Sequence, residues 1–327
     1  MKKLEIGIIG GAGYTAGELI RLLLSHPKTN LNFVFSTSNA DNKIYKVHQD
    51  LIGSTELEFT SKINPDVDVL FLCLGHGNST AFLEKNTFSD HTKIIDLSND
   101  FRLVANKNFE GKEFVYGLTE LNKDAIKKAK YIANPGCFAT AIQLALLPLA
   151  NAGVLQNDVH INAVTGATGA GTSLSATTHF TWRDNNFSHY KAFTHQHLGE
   201  IYQTVNQLQL NFKSDINFMP NRGNFSRGIF ATLYTKYKGS LEDAKTLYNE
   251  FYKDAAFTVV SDEDIHLKQA VNTNKCILHL HKHEGKLLVT SVIDNLLKGA
   301  SGQAIHNMNL MFGFEETEGL QLKANYF

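Results

Sequence analysis

The 327-residue sequence lacks several features that would assign it to a specialised class of protein. Its five prolines are too few for a proline-rich or collagen-like chain. The three cysteines, Cys73, Cys137 and Cys276, are odd in number and far apart, which is typical of a reducing compartment rather than of a disulfide framework. No run of about 18 apolar residues predicts a transmembrane helix. Glu5 and the glycines after it interrupt the apolar start, so no signal peptide is predicted and we expect a cytoplasmic protein.

The charge is balanced, with 31 Lys and Arg against 32 Asp and Glu. This balance gives no basic stripe for nucleic acid and no electrostatic attraction to a membrane surface, so neither partner is expected. Hydrophobic residues make up 43 % of the chain, enough to bury a core. At about 100–200 residues per domain, the length predicts two domains.

The first half of the chain alternates apolar runs with helical patterns. The runs do not alternate apolar with polar residues, as expected for strands that are covered on both faces. We therefore predict an α/β fold with a doubly wound, Rossmann-type parallel sheet. The predicted strands are Leu4–Ile9, Leu31–Phe35, Val67–Leu74, Lys93–Leu97 and Tyr131–Ala133.

After about residue 150 the pattern changes to alternating or β-branched runs. Two of these runs flank Glu284-Gly285, a hairpin signal, so this half is predicted to be an α+β domain with a mostly antiparallel sheet. A C-terminal helix over Gly302–Phe312 is expected to return to the first domain. The predicted domains are therefore 1–136 with 302–327, which binds NADP, and 137–301, which carries catalysis and dimerisation.

A glycine-rich turn follows the first strand and opens a helix. Glycine there lets the backbone approach a pyrophosphate, and the start of the helix supplies amide groups and a positive dipole. Cofactor contacts are expected from Gly10, Gly13, Tyr14, Thr15 and Ala16. The alternative is a tight strand–helix turn without a ligand.

The end of the second strand points to the type of nicotinamide cofactor. An NAD enzyme usually places an acid about 20 residues after the glycines, to hold the ribose 2′-hydroxyl. Here the stretch at the end of the second strand, Phe35–Asn39, contains no acid, and the first acid beyond it is Asp41. The hydroxyls of Ser36 and Ser38, with Lys43 nearby, suit a 2′-phosphate better, which favours NADP(H).

Cys137 follows Asn134-Pro135-Gly136 and is predicted to begin an apolar helix. The dipole and free amides at a helix start favour the reactive thiolate, a strong nucleophile toward acyl carbons. The alternative is a buried structural cysteine, which is what we expect of Cys73 and Cys276.

A histidine pair supplies candidates for the acid–base group. His197 and Glu200 are three residues apart and share one face if a helix starts there, so the carboxylate can orient the imidazole. His195 is the alternative acid–base residue. A His-x-His metal site is the competing interpretation, but no third ligand has suitable spacing, so no metal is expected.

Substrate contacts are expected from two segments rich in anion-binding groups. Ser98 and Arg102 follow a sheet strand and suit a carboxylate or phosphate, with a surface ion pair to Asp100 as the alternative. Arg227 comes just before a strand, and Asn295 precedes the return helix, which is expected to bring it to the cofactor.

Together these segments resemble the N-acetyl-γ-glutamyl-phosphate reductases, the acyl-phosphate reductases of arginine biosynthesis. The resemblance implies an NADPH-binding Rossmann domain, a dimerising α+β domain, a homodimer or homotetramer, Cys137 as nucleophile, and His195 or His197 as acid–base. Asn134 and Glu200 complete the expected substrate contacts. The segments that carry the resemblance are Gly10–Leu19, Asp96–Leu103, Asn134–Thr140, His195–Ile201, Arg227-Gly228 and Asp294–Gly313.

The expected reaction is NADPH-dependent reduction of an N-acyl-γ-glutamyl phosphate to the semialdehyde through a cysteine thioester. The residues around Phe218–Phe225 and Thr168–Thr172 depart from the family pattern, which leaves the acyl group open between acetyl and succinyl. Other acyl-phosphate reductases remain alternatives, namely aspartate-semialdehyde dehydrogenase and a lysine-biosynthesis homologue acting on a carrier-bound substrate. An NADP-sensing regulator and a metal hydrolase are alternatives of a different class.

Overall fold

The computed structural model describes residues 2–327, which group into two compact units. Unit 1 contains the described residues up to Pro135 together with Ala300–Gln321, and unit 2 contains Gly136–Gly299 with Leu322–Phe327. The last six residues therefore group with unit 2, although the sequence predicts them in the first domain. Their backbone is bonded there, since the Asn325 amide donates to the Val271 carbonyl at 3.1 Å.

Unit 1 contains an eight-stranded sheet with the order β3-β2-β1-β4-β5-β8-β7-β6. All neighbouring strands are parallel except β6 and β7, so the predicted doubly wound parallel sheet is confirmed. The strands are β1 (Leu4–Ile9), β2 (Thr29–Phe35), β3 (Phe59–Thr60), β4 (Val69–Leu72), β5 (Lys93–Asp96), β6 (Asn108–Phe109), β7 (Lys112–Tyr116) and β8 (Tyr131–Ala133). The helices are α1 (Tyr14–Ser25), α2 (Asn78–Leu83), α3 (Thr119–Lys128) and the last helix of the chain, α8 (Gly302–Phe312).

The core of unit 1 explains why its strands read as unbroken apolar runs. All four residues of β4 are buried, as expected for a strand inside a parallel sheet that is covered on both faces. The helix α8 is also buried from Gly302 to Met311, although it carries polar side chains. Two of these bind the Gly117 carbonyl, from Gln303 Nε2 at 2.9 Å and from Asn307 Nδ2 at 3.0 Å, which satisfies groups that are costly to bury unpaired.

Unit 2 contains a seven-stranded sheet with the order β10-β11-β9-β12-β15-β14-β13. Two neighbouring pairs, β9 with β11 and β13 with β14, are parallel and the other pairs are antiparallel, so the predicted mostly antiparallel sheet is confirmed. The strands are β9 (Val159–Thr165), β10 (Ser188–His189), β11 (Ile216–Arg222), β12 (Ile229–Lys236), β13 (Thr258–Ser261), β14 (Cys276–His283) and β15 (Lys286–Ile293). The helices are α4 (Cys137–Asn151), α5 (Phe180–Arg183), α6 (His197–Leu208) and α7 (Leu241–Tyr252), and a π-helical turn covers Leu297–Ser301.

The helix α4 forms the centre of unit 2. Every residue from Phe138 to Ala150 is buried, and the helix packs against α6, α7 and several strands. A helix that is apolar on all sides belongs in the interior of a protein. Among residues 2–327, no helix is both long enough and apolar enough to cross a lipid bilayer.

Candidate active site

Cys137 is the first residue of α4, and two glycines, Gly136 and Gly299, are adjacent to it. Gly136 is the N-cap, and its carbonyl accepts the first helical bond from the Thr140 amide at 2.8 Å. Gly299 passes so close that a Cβ there would lie 2.8 Å from Cys137 Cβ, nearer than carbon atoms pack. Cys137 is half-buried and lies at the positive end of the helix dipole, which favours a thiolate.

The other two cysteines lie in environments that suit structural residues. Cys276 is fully buried in β14, with its Sγ 3.5 Å from Ser291 Oγ. At Cys73, burial first and the nearby Asp96 carboxylate second raise the pKa of the thiol far above its usual value. Neither environment favours a thiolate, so position and chemistry together single out Cys137.

His195 and His197 lie in contact at the start of α6, with ring centroids 4.7 Å apart. Both are buried, and both pack edge-on against Phe138, the residue after the nucleophile, at 5.5 and 6.3 Å. Burial and then the Lys191 charge lower the pKa of His195 to about 4. Its Nδ1 accepts the His197 amide at 3.3 Å, so at neutral pH His195 is an uncharged ring with its proton on Nε2.

Glu200 connects the histidine pair to the start of the nucleophile helix. Its side chain is 4 % exposed; Oε2 accepts the Gly136 amide at 2.9 Å, and Oε1 lies 3.9 Å from His197 Nε2. The Glu200 main-chain carbonyl accepts a hydrogen bond from Gln143 Nε2 of α4 at 2.9 Å, so both the main chain and the side chain of Glu200 join α6 to α4. The predicted pairing of His197 with Glu200 on one helical face is therefore present, although the sequence did not indicate the bond to Gly136.

The predicted cofactor turn of unit 1 has the backbone that its glycines suggest. Gly10 adopts φ +80°, and a Cβ there would lie 2.6 Å from the Cys73 carbonyl oxygen, so only glycine fits. At the N-cap of α1, a Cβ on Gly13 would meet nothing within 4 Å, and the next residue, Tyr14, is exposed. The start of α1 is therefore open to a phosphate group. The backbone at Thr15 is fixed by Ser301, whose Oγ donates to the Thr15 carbonyl at 2.7 Å.

The turn after β2 contains two serine hydroxyls, and both accept a hydrogen bond from Asn39. Asn39 Nδ2 donates to Ser36 Oγ at 3.2 Å and to Ser38 Oγ at 3.1 Å, which leaves both hydroxyl hydrogens directed elsewhere. Ser38 is exposed and Ser36 is buried. Lys43 lies 3.1 Å from a Glu58 oxygen, so its charge is already paired inside unit 1.

The predicted anion clamp after β5 is mainly engaged with the chain itself. Ser98 Oγ donates to the buried Asp96 carboxylate at 2.7 Å, and Arg102 is buried, with its Nε donating to the Asn134 carbonyl at 2.8 Å and Nη2 to the Leu97 carbonyl at 2.9 Å. Desolvation, opposed by the Ser79 and Ser98 bonds, raises the pKa of Asp96 to about 6. Asn134 bonds Ala300 and Asn307, so these residues brace the loop, and their contact with substrate stays a prediction.

Arg227 and Asn295 also have partners within unit 2. Arg227 forms a two-point ion pair with the buried Asp294, at 3.1 Å from Nε and 3.2 Å from Nη2. Asn295 Oδ1 accepts the Gly228 amide at 2.6 Å, and its Nδ2 donates to Thr168 Oγ1 at 3.0 Å. The expected contacts of Arg227 with substrate and of Asn295 with cofactor therefore stay predictions.

Three further residues of unit 2 are connected to the histidine pair through Tyr190, whose ring lies 5.7 Å from that of His195, and sequence reasoning missed them. The guanidinium of Arg222 lies over the ring of Tyr190, with its Cζ 4.9 Å from the ring centroid. Burial first and the Cys137 charge second raise the pKa of Tyr190 to about 12, against the opposing effect of Arg222. Arg183 donates from Nη1 to the Arg222 carbonyl at 3.0 Å. The only sequence signal was the departure around Phe218–Phe225 from the resembled pattern.

Metal-ligating side chains are not clustered in the part of the chain that the structure describes. Within residues 2–327, no group of three or more His, Cys, Asp or Glu side chains is arranged to hold a metal ion. The close pair of His195 and His197 contacts aromatic rings instead, including Tyr190 and Phe218 at 5.7 and 5.5 Å from His195.

The sequence matches known proteins along almost its whole length. Residues 5–129 match the semialdehyde dehydrogenase NAD binding domain, and residues 137–295 match the semialdehyde dehydrogenase dimerisation domain. The N-acetyl-gamma-glutamyl-phosphate reductase of Christiangramia forsetii is 70 % identical, over 99 % of this chain and 100 % of the relative. The chain belongs to the N-acetyl-γ-glutamyl-phosphate reductase family. Reductases of the same name from Flavobacterium johnsoniae and Parabacteroides distasonis are 63 % and 57 % identical, each over 99 % of this chain and 100 % of the relative.

Solved structures show that the fold of this reductase family is shared with aspartate semialdehyde dehydrogenases. The Vibrio cholerae aspartate semialdehyde dehydrogenase II, complexed with ASA, superposes with a TM-score of 0.71 at 13 % identity, over 96 % of this chain and 99 % of that one. The Candida albicans enzyme with NADP gives 0.66 at 12 % identity, over 95 % and 99 %. The family, the fold class and an NAD(P)-binding oxidoreductase are thus confirmed.

Proposed function

We propose that this chain catalyses NADPH-dependent reduction of an N-acyl-γ-glutamyl phosphate to the N-acyl-glutamate semialdehyde, with release of phosphate, in arginine biosynthesis. One observation carries the proposal: Cys137 begins the buried helix α4 beside a histidine pair, and Glu200 bonds the N-cap amide of that helix. The family's relatives, identical at 57–70 %, bear the name of this reaction.

The nucleophile is Cys137. Its sulfur forms a bond to the γ-acyl carbon as the bond from that carbon to the phosphate oxygen breaks, which yields a thioester and free phosphate. Covalent catalysis of this kind divides one difficult displacement into two easier steps. The dipole at the start of α4 favours the anionic sulfur before attack and after release.

The proton is held at His197. The carboxylate of Glu200, 3.9 Å from Nε2, favours the imidazolium, whereas the environment of His195 favours a neutral ring. His197 donates its proton to the oxyanion formed on reduction and takes it back as the carbon–sulfur bond breaks and the aldehyde leaves. His195 is the alternative acid–base residue, and its contact at 4.7 Å positions the His197 ring.

The cofactor fits the glycine turn of unit 1. The open α1 start at Gly13 and the tight Gly10 turn suit a pyrophosphate, with Tyr14, Thr15 and Ala16 lining the helix start. A bound NADPH supplies the hydride that reduces the thioester carbon. The hydroxyls at the end of β2 and the absence of an acid between Phe35 and Ala40 support NADP over NAD.

We extend the proposal to the organisation of the enzyme. Residues 1–136 with the return helix act as the cofactor domain, and 137–301 act in catalysis and dimerisation, which the dimerisation-domain match supports. The working form is a homodimer or homotetramer in the cytoplasm, and the substrate is a small molecule.

The reverse reaction provides the test. Phosphate-dependent reduction of NADP⁺ is measured with N-acetylglutamate semialdehyde, N-succinylglutamate semialdehyde and aspartate semialdehyde. The wild type is expected to use an N-acylated compound, and Cys137→Ser to lose at least about 10³-fold in kcat, because removal of a catalytic nucleophile costs that much or more. Cys276→Ser is the control and keeps its rate. A Cys137→Ser enzyme near wild-type rate contradicts the nucleophile, and activity with aspartate semialdehyde alone contradicts the substrate.

A further inference from the structure

We propose that Arg183 and Arg222 form a subsite beside Cys137 that binds an oxyanion of the substrate. The inference rests on the proposed function for the identity of that substrate. In addition, it assigns recognition of a substrate anion to two residues that neither the sequence motifs nor the family match indicates.

Arg222 is positioned by its strand and by an aromatic neighbour, Tyr190. It is the last residue of β11, where it pairs with Ser188 of β10, and its guanidinium lies over the ring of Tyr190, 4.9 Å from Cζ to the centroid. The Tyr190 ring in turn lies 5.7 Å from the His195 ring, and His195 packs against Phe138, the residue after Cys137. Tyr190 therefore connects the guanidinium to the start of α4.

Arg183 supports the same place from α5. It is 8 % exposed, and it donates from Nη1 to the Arg222 carbonyl at 3.0 Å and from Nη2 to the Thr177 carbonyl at 3.2 Å. Its Nε and the Nε of Arg222 are both buried N–H donors without a hydrogen-bond partner in the structure. Two buried donors on neighbouring guanidinium groups are an unusual arrangement, because native proteins satisfy nearly all such groups.

The two positive charges are also not neutralised. Within residues 2–327 neither guanidinium makes an ion pair, and desolvation together with the Arg222 charge lowers the pKa of Arg183. The nearest acid in sequence, Asp184, is exposed and accepts Asn185 Nδ2 instead. Adjacent cations repel one another, so an anion bound by the two guanidinium groups removes the repulsion and supplies an acceptor for their unsatisfied donors.

The substrate offers suitable anions. An N-acyl-γ-glutamyl phosphate carries a phosphate and an α-carboxylate, and an N-succinyl group adds a second carboxylate. The arginines that the sequence suggested for this role, Arg102 and Arg227, already bind main-chain carbonyls and Asp294. The fork of a guanidinium binds carboxylate and phosphate alike, so the kinetics of each substrate must identify the group.

Steady-state kinetics in the reverse direction distinguish these sources. Arg183→Gln, Arg222→Gln and the charge-retaining Arg222→Lys are compared with the control Lys282→Gln, which removes a lysine of β14. The two substrates varied are phosphate and the semialdehyde. We expect KM to rise about 10-fold or more for the substrate whose anion the arginines bind, because one charge-assisted hydrogen bond is lost, and to rise less for Arg222→Lys. The other substrate is expected to keep its KM, and thermal unfolding shows that each variant is folded.

Each pattern of KM values has one meaning. A higher KM for phosphate, with either semialdehyde as co-substrate, shows that the arginines bind the phosphate group. A higher KM for both N-acylated semialdehydes shows that they bind the α-carboxylate. A higher KM for the N-succinyl compound alone shows that they bind the carboxylate of the acyl group. Unchanged KM values for phosphate and for both semialdehydes, in folded Arg183→Gln and Arg222→Gln, overturn the proposal.

A second measurement does not depend on turnover. Alkylation of Cys137 is followed by peptide mass spectrometry with negatively charged iodoacetate and neutral iodoacetamide, at equal concentrations. The iodoacetate-to-iodoacetamide rate ratio is expected to fall at least about threefold in Arg183→Gln/Arg222→Gln, because the pair attracts the anionic reagent. If the wild type reduces NADP⁺ with none of the three semialdehydes, the proposed function fails, and this ratio alone decides the subsite; an unchanged ratio then overturns it.

Discussion

The two roles of Glu200 can be separated by a pair of substitutions. Glu200→Gln keeps an oxygen that accepts the Gly136 amide but removes the charge 3.9 Å from His197 Nε2. Glu200→Ala removes both. If the carboxylate stabilises the imidazolium that protonates the oxyanion, both variants lose activity, whereas only the alanine variant loses stability.

The magnitudes follow from the contacts. Glu200→Ala leaves the buried Gly136 N–H without an acceptor, a cost of about 1–3 kcal/mol, whereas Glu200→Gln exchanges one hydrogen bond for another and changes the free energy of unfolding by less than about 1 kcal/mol. General acid–base catalysis contributes about 10²–10⁴-fold, so a misplaced or less charged His197 lowers kcat by about 10–100-fold. Because the imidazolium loses its neighbouring anion and His197 must be protonated to act as the acid, the alkaline limb of the kcat profile moves to lower pH in Glu200→Gln.

Urea unfolding and pH-dependent kcat measure these two effects on the same proteins. Thr204→Val is the matched control: it removes the bond from Gln143 Nε2 to Thr204 Oγ1, 2.8 Å long, on the same side of α6 and leaves the carboxylate in place. It is expected to lose about 1 kcal/mol of stability and to keep its kcat. A Glu200→Gln enzyme with wild-type kcat and an unshifted profile refutes the catalytic part of this reasoning and leaves Glu200 as a structural anchor of α4.

Two other predictions concern unit 1. The Cβ of Gly13→Ala contacts nothing, so this variant is expected to retain wild-type stability but to bind NADPH more weakly in a fluorescence titration. Gly10→Ala has φ +80° and a Cβ 2.6 Å from the Cys73 carbonyl oxygen, so its free energy of unfolding is expected to fall by about 1–3 kcal/mol. Equal NADPH affinity in Gly13→Ala and wild type contradicts the cofactor site. The His306 hydrogen bond at 2.8 Å lowers the pKa of Glu316 to about 2 from 4.5, so its contribution is present above pH 4.5 and is lost as the pH falls toward 2. Urea unfolding is expected to show Glu316→Gln about 2 kcal/mol less stable than wild type at pH 7, with the difference reduced to about 0.5 kcal/mol at pH 2.5. A difference in stability that does not narrow in acid argues against the interaction of Glu316 with His306.

Much of the architecture was predictable because its elements obey simple periodicities. β1 (Leu4–Ile9), β8 (Tyr131–Ala133), β15 (Lys286–Ile293) and α8 (Gly302–Phe312) begin and end where the apolar runs and glycines indicate. The Glu284-Gly285 hairpin is also present, with φ +43° and +77°, which is the left-handed backbone that such a two-residue turn needs.

The strand β11 escaped prediction for a physical reason. Its sequence contains Pro220 and Asn221, and both residue types are depleted in strands because proline cannot donate to the ladder. The strand forms nevertheless, with β9 on one side and β10 on the other. Arg222, its last residue, was missed with it, so the subsite next to Cys137 could be found only once the chain was folded.

Individual charged residues were the least predictable part of the site. Arg102 and Arg227 follow motif segments and were natural candidates, but which carbonyl or carboxylate an arginine meets depends on contacts over long sequence distances, such as the 67 residues between Arg227 and Asp294. The position of Cys137 at a helix start was predictable because the adjacent residues Pro135-Gly136 end the preceding strand. Glu200 was predictable only as a neighbour of His197, since its bond to Gly136 spans 64 residues.

The complete burial of α4 has a consequence for how this enzyme can fail and how it can change. The amides of Phe138–Ala150 are expected to exchange with solvent only when unit 2 opens as a whole, so the helix that positions the half-buried sulfur of Cys137 is not lost by local fraying. The segment that leads to Arg183 is the opposite case, with Leu174 fully exposed and Phe180 largely so. With the proposed subsite, mutation in this segment can alter which substrate is accepted while the helix that carries the nucleophile stays unchanged.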